Sequence, residues 1–93
     1  MLILSRFTIH GHSMEPTILS GQIVLVSNIP FLFFRPKINE IISFKHDGKV
    51  FIKRIVKVNK ENYFVKGDNE KDSFDSRKVG WIKRQNIIGK VIT

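Results

Sequence analysis

Ser13 stands in a stretch whose residue types are suited to presenting a nucleophile. The segment IHGHSMEPTIL, residues 9–19, has a glycine two residues before the serine and a proline three residues after it. Proline disfavours helical geometry at the preceding residue, so the chain is expected to turn at Glu15, and Gly11 is expected to let another backbone approach closely. A serine on such a bend presents both its hydroxyl and its own N–H. The alternative is an ordinary turn serine.

A serine hydroxyl needs a base, and histidine is the usual one. The chain contains His10, His12 and His46. If the strand before the bend continues through His12, then His10 and His12 share a face that points away from Ser13. The three histidines are then candidates for a metal site, or else exposed or capping side chains.

Lys53 is the second candidate base. Strand alternation in KVFIKRIVKV, residues 49–58, places Lys53 between Phe51 and Ile55 on one face. A lysine with the ordinary pKa of about 10.4 is neutral in roughly one molecule in 2,500 at pH 7, whereas burial lowers that pKa by up to about 3–5 units. A lysine held between Phe51 and Ile55 could be tuned in this way to act as a base. The alternative is a lysine whose ammonium reaches water along an apolar edge.

A third polar stretch, GDNEKDSFDSRKVG, covers residues 67–80. It could hold a neighbouring group in place through short hydrogen-bonding side chains, with Gly67 and Gly80 allowing the turns. The alternative is an exposed loop with an ion pair between Asp75 and Arg77. The side chains in question are Asp68, Asn69, Asp72, Ser73, Asp75, Ser76 and Arg77.

Short strands must position these residues. Segments rich in Val, Ile and Phe, separated by turn-forming residues, predict an all-β, mostly antiparallel fold. Asp47-Gly48 predicts a tight hairpin, VNKENY predicts a second, longer turn, and PTIL (16–19) predicts the one short helical turn. The predicted strands are residues 6–10, 22–26, 40–45, 49–58, 62–66 and 86–92.

Composition narrows the functional classes. The 93 residues predict a single domain, 1–93, and the absence of cysteine excludes disulfides and thiolate chemistry. The longest apolar run is far shorter than the roughly 20 residues that span a bilayer, so we expect no transmembrane segment and a cytoplasmic or membrane-associated location. The net charge of +8 predicts attraction to anionic surfaces.

The segment SNIPFLFFRPKIN, residues 27–39, is the most irregular part of the pattern. One interpretation is that Phe31, Phe33 and Phe34 dip into a lipid interface beside basic residues. The other is that the same three rings cover the open end of the sheet core.

Taken in order, the three polar stretches resemble the motifs of the signal peptidase I family of serine proteases, which use a Ser/Lys dyad. GHSMEPTILSGQIVLV resembles the nucleophile motif and the strand after it, IKRIV the lysine motif, and GDNEKDSFDSRKVG the downstream motif that begins with GDN. The resemblance implies the catalytic core fold of that family, a small and partly open, barrel-like sheet.

The resemblance also implies roles for individual residues. Ser13 is implied as the nucleophile and Lys53 as the general base, with Ser73 orienting the Lys53 amine. Asp75 and Arg77 are implied as a structural pair that fixes their loop.

The oxyanion is implied to bind the backbone N–H of Ser13. Some relatives add a hydroxyl two residues before the nucleophile, but that position is Gly11 in this chain. Asp68 and Asn69, from the GDN of the downstream motif, complete the predicted supporting residues.

The chain differs from typical family members, which usually carry amino-terminal membrane anchors and often a large insertion after the lysine motif. Position 22 is Gln where an Asp commonly follows the glycine. The compact form is similar to that of the peptidases that mature nickel-type superoxide dismutase.

The expected function is therefore that of a serine endopeptidase which removes an amino-terminal leader from a protein precursor, without cofactor or metal. Maturation of one specific precursor, such as nickel-type superoxide dismutase, is the first alternative. A basic β-barrel that binds single-stranded nucleic acid and a self-cleaving repressor are the others.

Overall fold

The computed structural model describes residues 4–69 and 80–92. Within these ranges the chain forms seven strands, one helix and a short 3₁₀ turn. They are β1 (Leu4–Thr8), β2 (Ile23–Ser27), α1 (Pro30–Phe33), β3 (Ile41–His46), β4 (Lys49–Asn59), β5 (Asn62–Lys66), β6 (Trp81–Lys83), the 3₁₀ turn (Arg84–Asn86) and β7 (Ile87–Val91).

The strands form one sheet in the order β1-β2-β7-β3-β4-β5-β6, and every neighbouring pair is antiparallel. The sheet is open, with β1 and β6 as its edges. The prediction of an all-β, mostly antiparallel and partly open sheet with one short helix is confirmed.

The two predicted hairpin turns are present. Asp47 and Gly48 have φ values of 51° and 75°, which a two-residue turn between twisted strands requires. The turn between Asn59 and Asn62 also has two residues, with Lys60 at φ 57°, so it is shorter than predicted.

The predicted helical turn at 16–19 is wrong in its location. That segment has one helix-like hydrogen bond, 2.9 Å from the Ile18 N–H to the Met14 carbonyl, while the helix lies at Pro30–Phe33. Proline suits a first helical position in both segments, so its presence alone did not distinguish them. Strand β6 was not predicted, because three residues are too few to show a period.

The core has two hydrophobic clusters. The second cluster includes Met14 and Ile18, which are 2% and 4% exposed, so packing anchors both ends of the turn after Ser13. Burying each such side chain contributes roughly 1.5–3 kcal/mol. The first cluster comprises Phe31, Ile42, Phe44, Ile55, Tyr63, Val65, Ile82 and Ile87, and the second Ile9, Met14, Ile18, Val24 and Val26.

Candidate active site

Lys53 lies in the middle of β4, opposite Ile42 of β3. Its side chain is buried, with 4% exposure, and its neighbours two residues away on the strand, Phe51 and Ile55, belong to or pack against the first cluster. Of the two interpretations open for this lysine, the structure agrees with the buried one.

Ser13 lies on the bend between β1 and β2. Hydrogen bonds from Asn69 hold this bend: its backbone N–H donates to the Ser13 carbonyl over 2.8 Å, and its side-chain Nδ2 donates to the His12 carbonyl over 2.9 Å. The Glu15 N–H also donates to the His12 carbonyl, over 3.2 Å, which closes the turn. The serine is therefore held by contacts from a distant part of the chain.

Gly67 lies beside both Ser13 and Lys53. A Cβ added at this glycine would lie 3.3 Å from Cβ of Ser13 and 3.4 Å from Nζ of Lys53. It would also lie only 2.6 Å from the Ser13 carbonyl oxygen, closer than real Cβ atoms approach. The sequence suggested that Gly67 allows a turn, but the structure gives it another task, the close approach of two segments.

Ser13 and Lys53 line one cleft of about 170 Å³ between the end of β1 and the first half of β4. His10 lines the same cleft, which corrects the prediction that it points away from Ser13. The reason is that β1 ends at Thr8, so the alternation assumed for His10 and His12 does not apply. The lining residues are Phe7, Thr8, Ile9, His10, Ser13, Met14, Val50, Phe51, Ile52 and Lys53.

Asp68 connects the segments around the cleft. It accepts hydrogen bonds from Arg54, over 2.9 Å from Nε and 2.7 Å from Nη2, and from the Thr17 hydroxyl over 2.6 Å. Arg54 also donates from Nη1 to the Asn39 carbonyl over 2.7 Å. Hydrogen bonds from Arg54 hold the pKa of Asp68 below its usual value against the opposing effect of burial, and the Asp68 carboxylate raises the pKa of Arg54.

Arg54 and Thr17 had no predicted role. Strand alternation places Arg54 on the face opposite Lys53, and its position directly after Lys53 was the available signal for a residue that holds this strand.

The histidine next to Ser13 has a local partner. His12 Nδ1 lies 2.8 Å from Oε2 of Glu15, and this contact lowers the pKa of the Glu15 carboxyl, helped by a hydrogen bond from the Ser20 N–H. His46 lies 3.5 Å from Asp47 at the hairpin tip. In residues 4–69 and 80–92, no three His, Asp or Glu side chains come together as metal ligands.

Gly11 does not serve the close backbone approach that the sequence suggested. A Cβ at this position would meet nothing within 4 Å, but the residue has a φ of +89°, which favours glycine. The glycine thus allows the chain to reverse before Ser13.

The remaining predicted supporting residues, Ser73, Asp75 and Arg77, lie outside the described residues. Their roles stay predictions. Of the supporting set, the structure places Asp68 and Asn69 beside the bend that carries Ser13.

Comparison with known proteins gives the family. The family model described as signal peptidase, peptidase S26, matches residues 1–59 and 56–93, which is the whole chain. The chain belongs to this signal peptidase family.

Two curated relatives show how the match is distributed. The chain is similar to signal peptidase I of Buchnera aphidicola subsp. Baizongia pistaciae (strain Bp), with 51% identity over 35 residues, 38% of this chain and 11% of that protein. It is also similar to thylakoidal processing peptidase 1, chloroplastic, of Arabidopsis thaliana, with 24% identity over 135 residues, 91% of this chain and 40% of that protein. The signal peptidase family chain thus spans less than half the length of these relatives.

Proposed function

We propose that this signal peptidase family chain is the catalytic core of a serine endopeptidase that removes an amino-terminal leader from a protein precursor. The observation that carries the proposal is that Cβ of Ser13 and Nζ of the buried Lys53 both lie beside Cα of Gly67, and that the two residues line the same cleft. A hydroxyl and a buried amine in one cleft are the two groups that a Ser/Lys peptidase needs.

In the proposed reaction, Lys53 in its neutral form takes the proton of the Ser13 hydroxyl as Oγ attacks the scissile carbonyl carbon. The Ser13 N–H stabilises the oxyanion of the tetrahedral intermediate. Collapse breaks the peptide bond, the Lys53 ammonium protonates the leaving amine, and an acyl-enzyme remains on Ser13. Lys53 then takes a proton from the water that attacks this ester, and its ammonium returns that proton to Oγ of Ser13 as the ester C–O bond breaks and the carboxylic acid product leaves.

Burial supports lysine as the base. Lys53 is 4% exposed, and removal from water favours the neutral amine that a base must be. His10 lines the same cleft, so a Ser/His arrangement is the competing chemistry that an experiment has to exclude. Ser73 is proposed to orient the Lys53 amine, and Asp75 with Arg77 to fix the downstream segment.

The test is cleavage of a leader-bearing precursor by purified variants whose fold is checked by circular dichroism. Ser13→Ala, Lys53→Ala and Lys53→Arg should each lower the rate by at least about 10³-fold, since guanidinium is not a base at ordinary pH. His10→Ala is the matched control from the same cleft and should retain activity. Full activity of the Ser13 or Lys53 variants, or loss of activity only with His10→Ala, would contradict the dyad.

The substrate is proposed as a class, a precursor with an extended leader. Membership of a peptidase family favours an enzyme over the nucleic-acid-binding alternative. A specific maturation substrate such as the nickel-type superoxide dismutase precursor stays a prediction. Side-by-side cleavage of that precursor and a secretory precursor would distinguish the two substrates.

The apolar side chains at positions 31–34 divide between the two interpretations. Phe31 is 8% exposed and belongs to the first cluster, which agrees with a ring that covers the core and not with one that contacts lipid. Leu32, Phe33 and Phe34 are 51%, 77% and 63% exposed. Phe31 therefore covers the core, whereas its neighbours form an apolar surface.

We propose that this surface makes peripheral contact with anionic lipid through Phe33 and Phe34. A flanking cation supports this, because Lys37 lies 5.4 Å from the Phe34 ring centroid. Lys90 lies beside the same rings but is paired with Glu40 over 3.1 Å. None of the helices in the described part of the chain has the length and apolar character to cross a bilayer. Any membrane contact by these residues would thus be at the surface.

Co-sedimentation with vesicles tests the contact. Binding to phosphatidylglycerol-containing vesicles should fall at least about tenfold in the double variant Phe33→Ser, Phe34→Ser. Leu19→Ser is the control, since Leu19 is a comparably exposed apolar residue on the nucleophile bend, at 54%. Equal binding of the double variant, or no binding by the unmodified chain, would contradict the proposal.

A further inference from the structure

Asn69 makes two hydrogen bonds that bracket one peptide unit of the nucleophile bend. Its Nδ2 donates to the His12 carbonyl over 2.9 Å, and its backbone N–H donates to the next carbonyl, that of Ser13, over 2.8 Å. The peptide unit between these two carbonyl carbons contains the Ser13 N–H, the donor proposed above for the oxyanion.

Fixing the His12 carbonyl fixes the direction of that N–H. In the described ranges the only cis peptide bond is Glu15-Pro16, so the bond between His12 and Ser13 is trans. The C=O and N–H of a trans peptide point in opposite directions, so the Ser13 N–H points away from Asn69. Within those ranges this N–H donates to no protein acceptor, which leaves it available to a substrate.

The same contact changes the donor strength of the N–H. A hydrogen bond accepted by an amide carbonyl polarises the amide, and the N–H of that amide becomes a stronger donor. The His12 carbonyl accepts two such bonds, from Asn69 and, over 3.2 Å, from the Glu15 N–H. At Gly11, where some relatives have a second donor, there is no side chain to share the oxyanion.

We infer that Asn69 is a positioning residue which orients and polarises the peptide unit carrying the oxyanion donor. This inference rests on the proposed function. Asn69 acts through the His12 carbonyl and does not touch the substrate. Its effect is therefore felt where charge develops on the substrate oxygen, in the transition state, and not in substrate binding or in the Lys53 base.

The experiment compares Asn69→Ala and Asn69→Leu with the unmodified chain in steady-state cleavage of a precursor peptide. Both changes remove the side-chain donor and keep the backbone donor, and the second keeps the size of the side chain without adding a charge beside Lys53. The expected result is a kcat lower by about 10- to 100-fold, less than the loss of a whole oxyanion donor, with KM and the acidic limb of the pH–rate profile unchanged. Asn62→Ala, an amide on β5 outside the cleft, should leave all three quantities unchanged.

The possible results distinguish a positioning role of Asn69 from a purely structural one. An unchanged kcat in both variants would overturn the inference. A raised KM or a shifted acidic limb would also overturn it, because a structural role of Asn69 displaces Ser13 from Lys53 and changes those quantities. Failure of the unmodified chain to cleave any leader peptide would overturn the proposed function itself, and this is a distinct observation.

Discussion

The guanidinium of Arg54 donates two hydrogen bonds to the carboxylate of Asp68, over 2.9 Å and 2.7 Å. Arg54 follows Lys53 directly, and Asp68 follows Gly67, the residue that packs against Ser13. The pair therefore ties the strand that carries the proposed base to the segment that touches the proposed nucleophile. Thr17 adds a third connection, from the bend itself, over 2.6 Å.

Removing this pair should lower stability at neutral pH. Asp68→Asn keeps the size of the side chain but removes the carboxylate whose two oxygens accept the hydrogen bonds from Arg54. We expect the free energy of unfolding to fall by about 2 kcal/mol, the range for hydrogen bonds to charged groups. Urea unfolding followed by circular dichroism measures it.

The same contact predicts a dependence on acid. The pKa of Asp68 is lower in the folded chain than its ordinary value of 3.8, so the unfolded chain takes up the proton first. The stabilisation is complete above that value and is lost as the pH falls through the folded pKa. The difference between the unmodified chain and Asp68→Asn should therefore shrink below about pH 4.

Glu61→Gln is the control for both measurements. Glu61 pairs with Arg35 over 3.6 Å, and both side chains are largely exposed, so the change should cost less than about 1 kcal/mol. A loss as large as that of Asp68→Asn would show that net charge, not the Asp68 geometry, determines the effect.

Gly67→Ala should affect activity more than its cost in stability explains. The added Cβ would lie 2.6 Å from the Ser13 carbonyl oxygen. Either the bend or the segment at Gly67 must shift to relieve this contact, and the spacing between Ser13 and Lys53 changes with it. A displacement of about 1 Å in an active site lowers a rate by roughly 10²-fold.

Gly89→Ala is the matched control for that displacement. Its Cβ would lie 2.7 Å from the Ser27 carbonyl oxygen, an equally tight contact in β7, away from the lining of the cleft. Both variants should lose about 1–3 kcal/mol of unfolding free energy through overpacking, but only Gly67→Ala should lose cleavage activity. Equal activities of the two folded variants would show that Gly67 does not set the geometry of the site.

The parts of the fold that could be predicted from sequence depend on local periodicity. The period of two in residues 49–58 was sufficient to place Lys53 between Phe51 and Ile55 on one face, and Asp47-Gly48 was sufficient for the hairpin. These features need only neighbours along the chain, so the sequence carries them directly.

The parts that could not be predicted depend on contacts between distant residues. His10 enters the cleft because β1 ends at Thr8, which no local pattern marks. Arg54 and Asp68 meet only because β4 and β5 pair and bring residue 68 back beside residue 54. The motif resemblance pointed to Ser13 and Lys53. Their packing beside Gly67 could not be predicted, because it depends on three segments that are far apart in the sequence.

Replacing two buried serines by alanine should change the free energy of unfolding in opposite directions. The hydroxyl of Ser43, in a residue that is 0% exposed, has no hydrogen-bond partner in the described part of the chain. Removing an unsatisfied buried hydroxyl relieves its desolvation cost, so Ser43→Ala should raise the free energy of unfolding by about 1 kcal/mol.

The second serine provides the comparison. The hydroxyl of Ser27, which is 3% exposed, accepts a hydrogen bond from the Ile29 N–H over 3.1 Å. Ser27→Ala leaves that N–H without its acceptor and should lower stability by about 1 kcal/mol. Thermal or urea unfolding of the two variants measures both signs, and destabilisation by Ser43→Ala would indicate that this hydroxyl is satisfied.

Replacing the buried lysine by an apolar residue should separate stability from catalysis. Lys53→Met keeps the length of the side chain and replaces an amine that is costly to bury by an apolar group. We expect the free energy of unfolding to rise by about 1 kcal/mol while cleavage is lost, a combination typical of residues retained for activity. Lys57→Met, on the exposed part of the same strand, should change stability by less than about 0.5 kcal/mol and leave cleavage intact. A substantial loss of stability in Lys53→Met would instead identify Lys53 as a structural residue of the sheet.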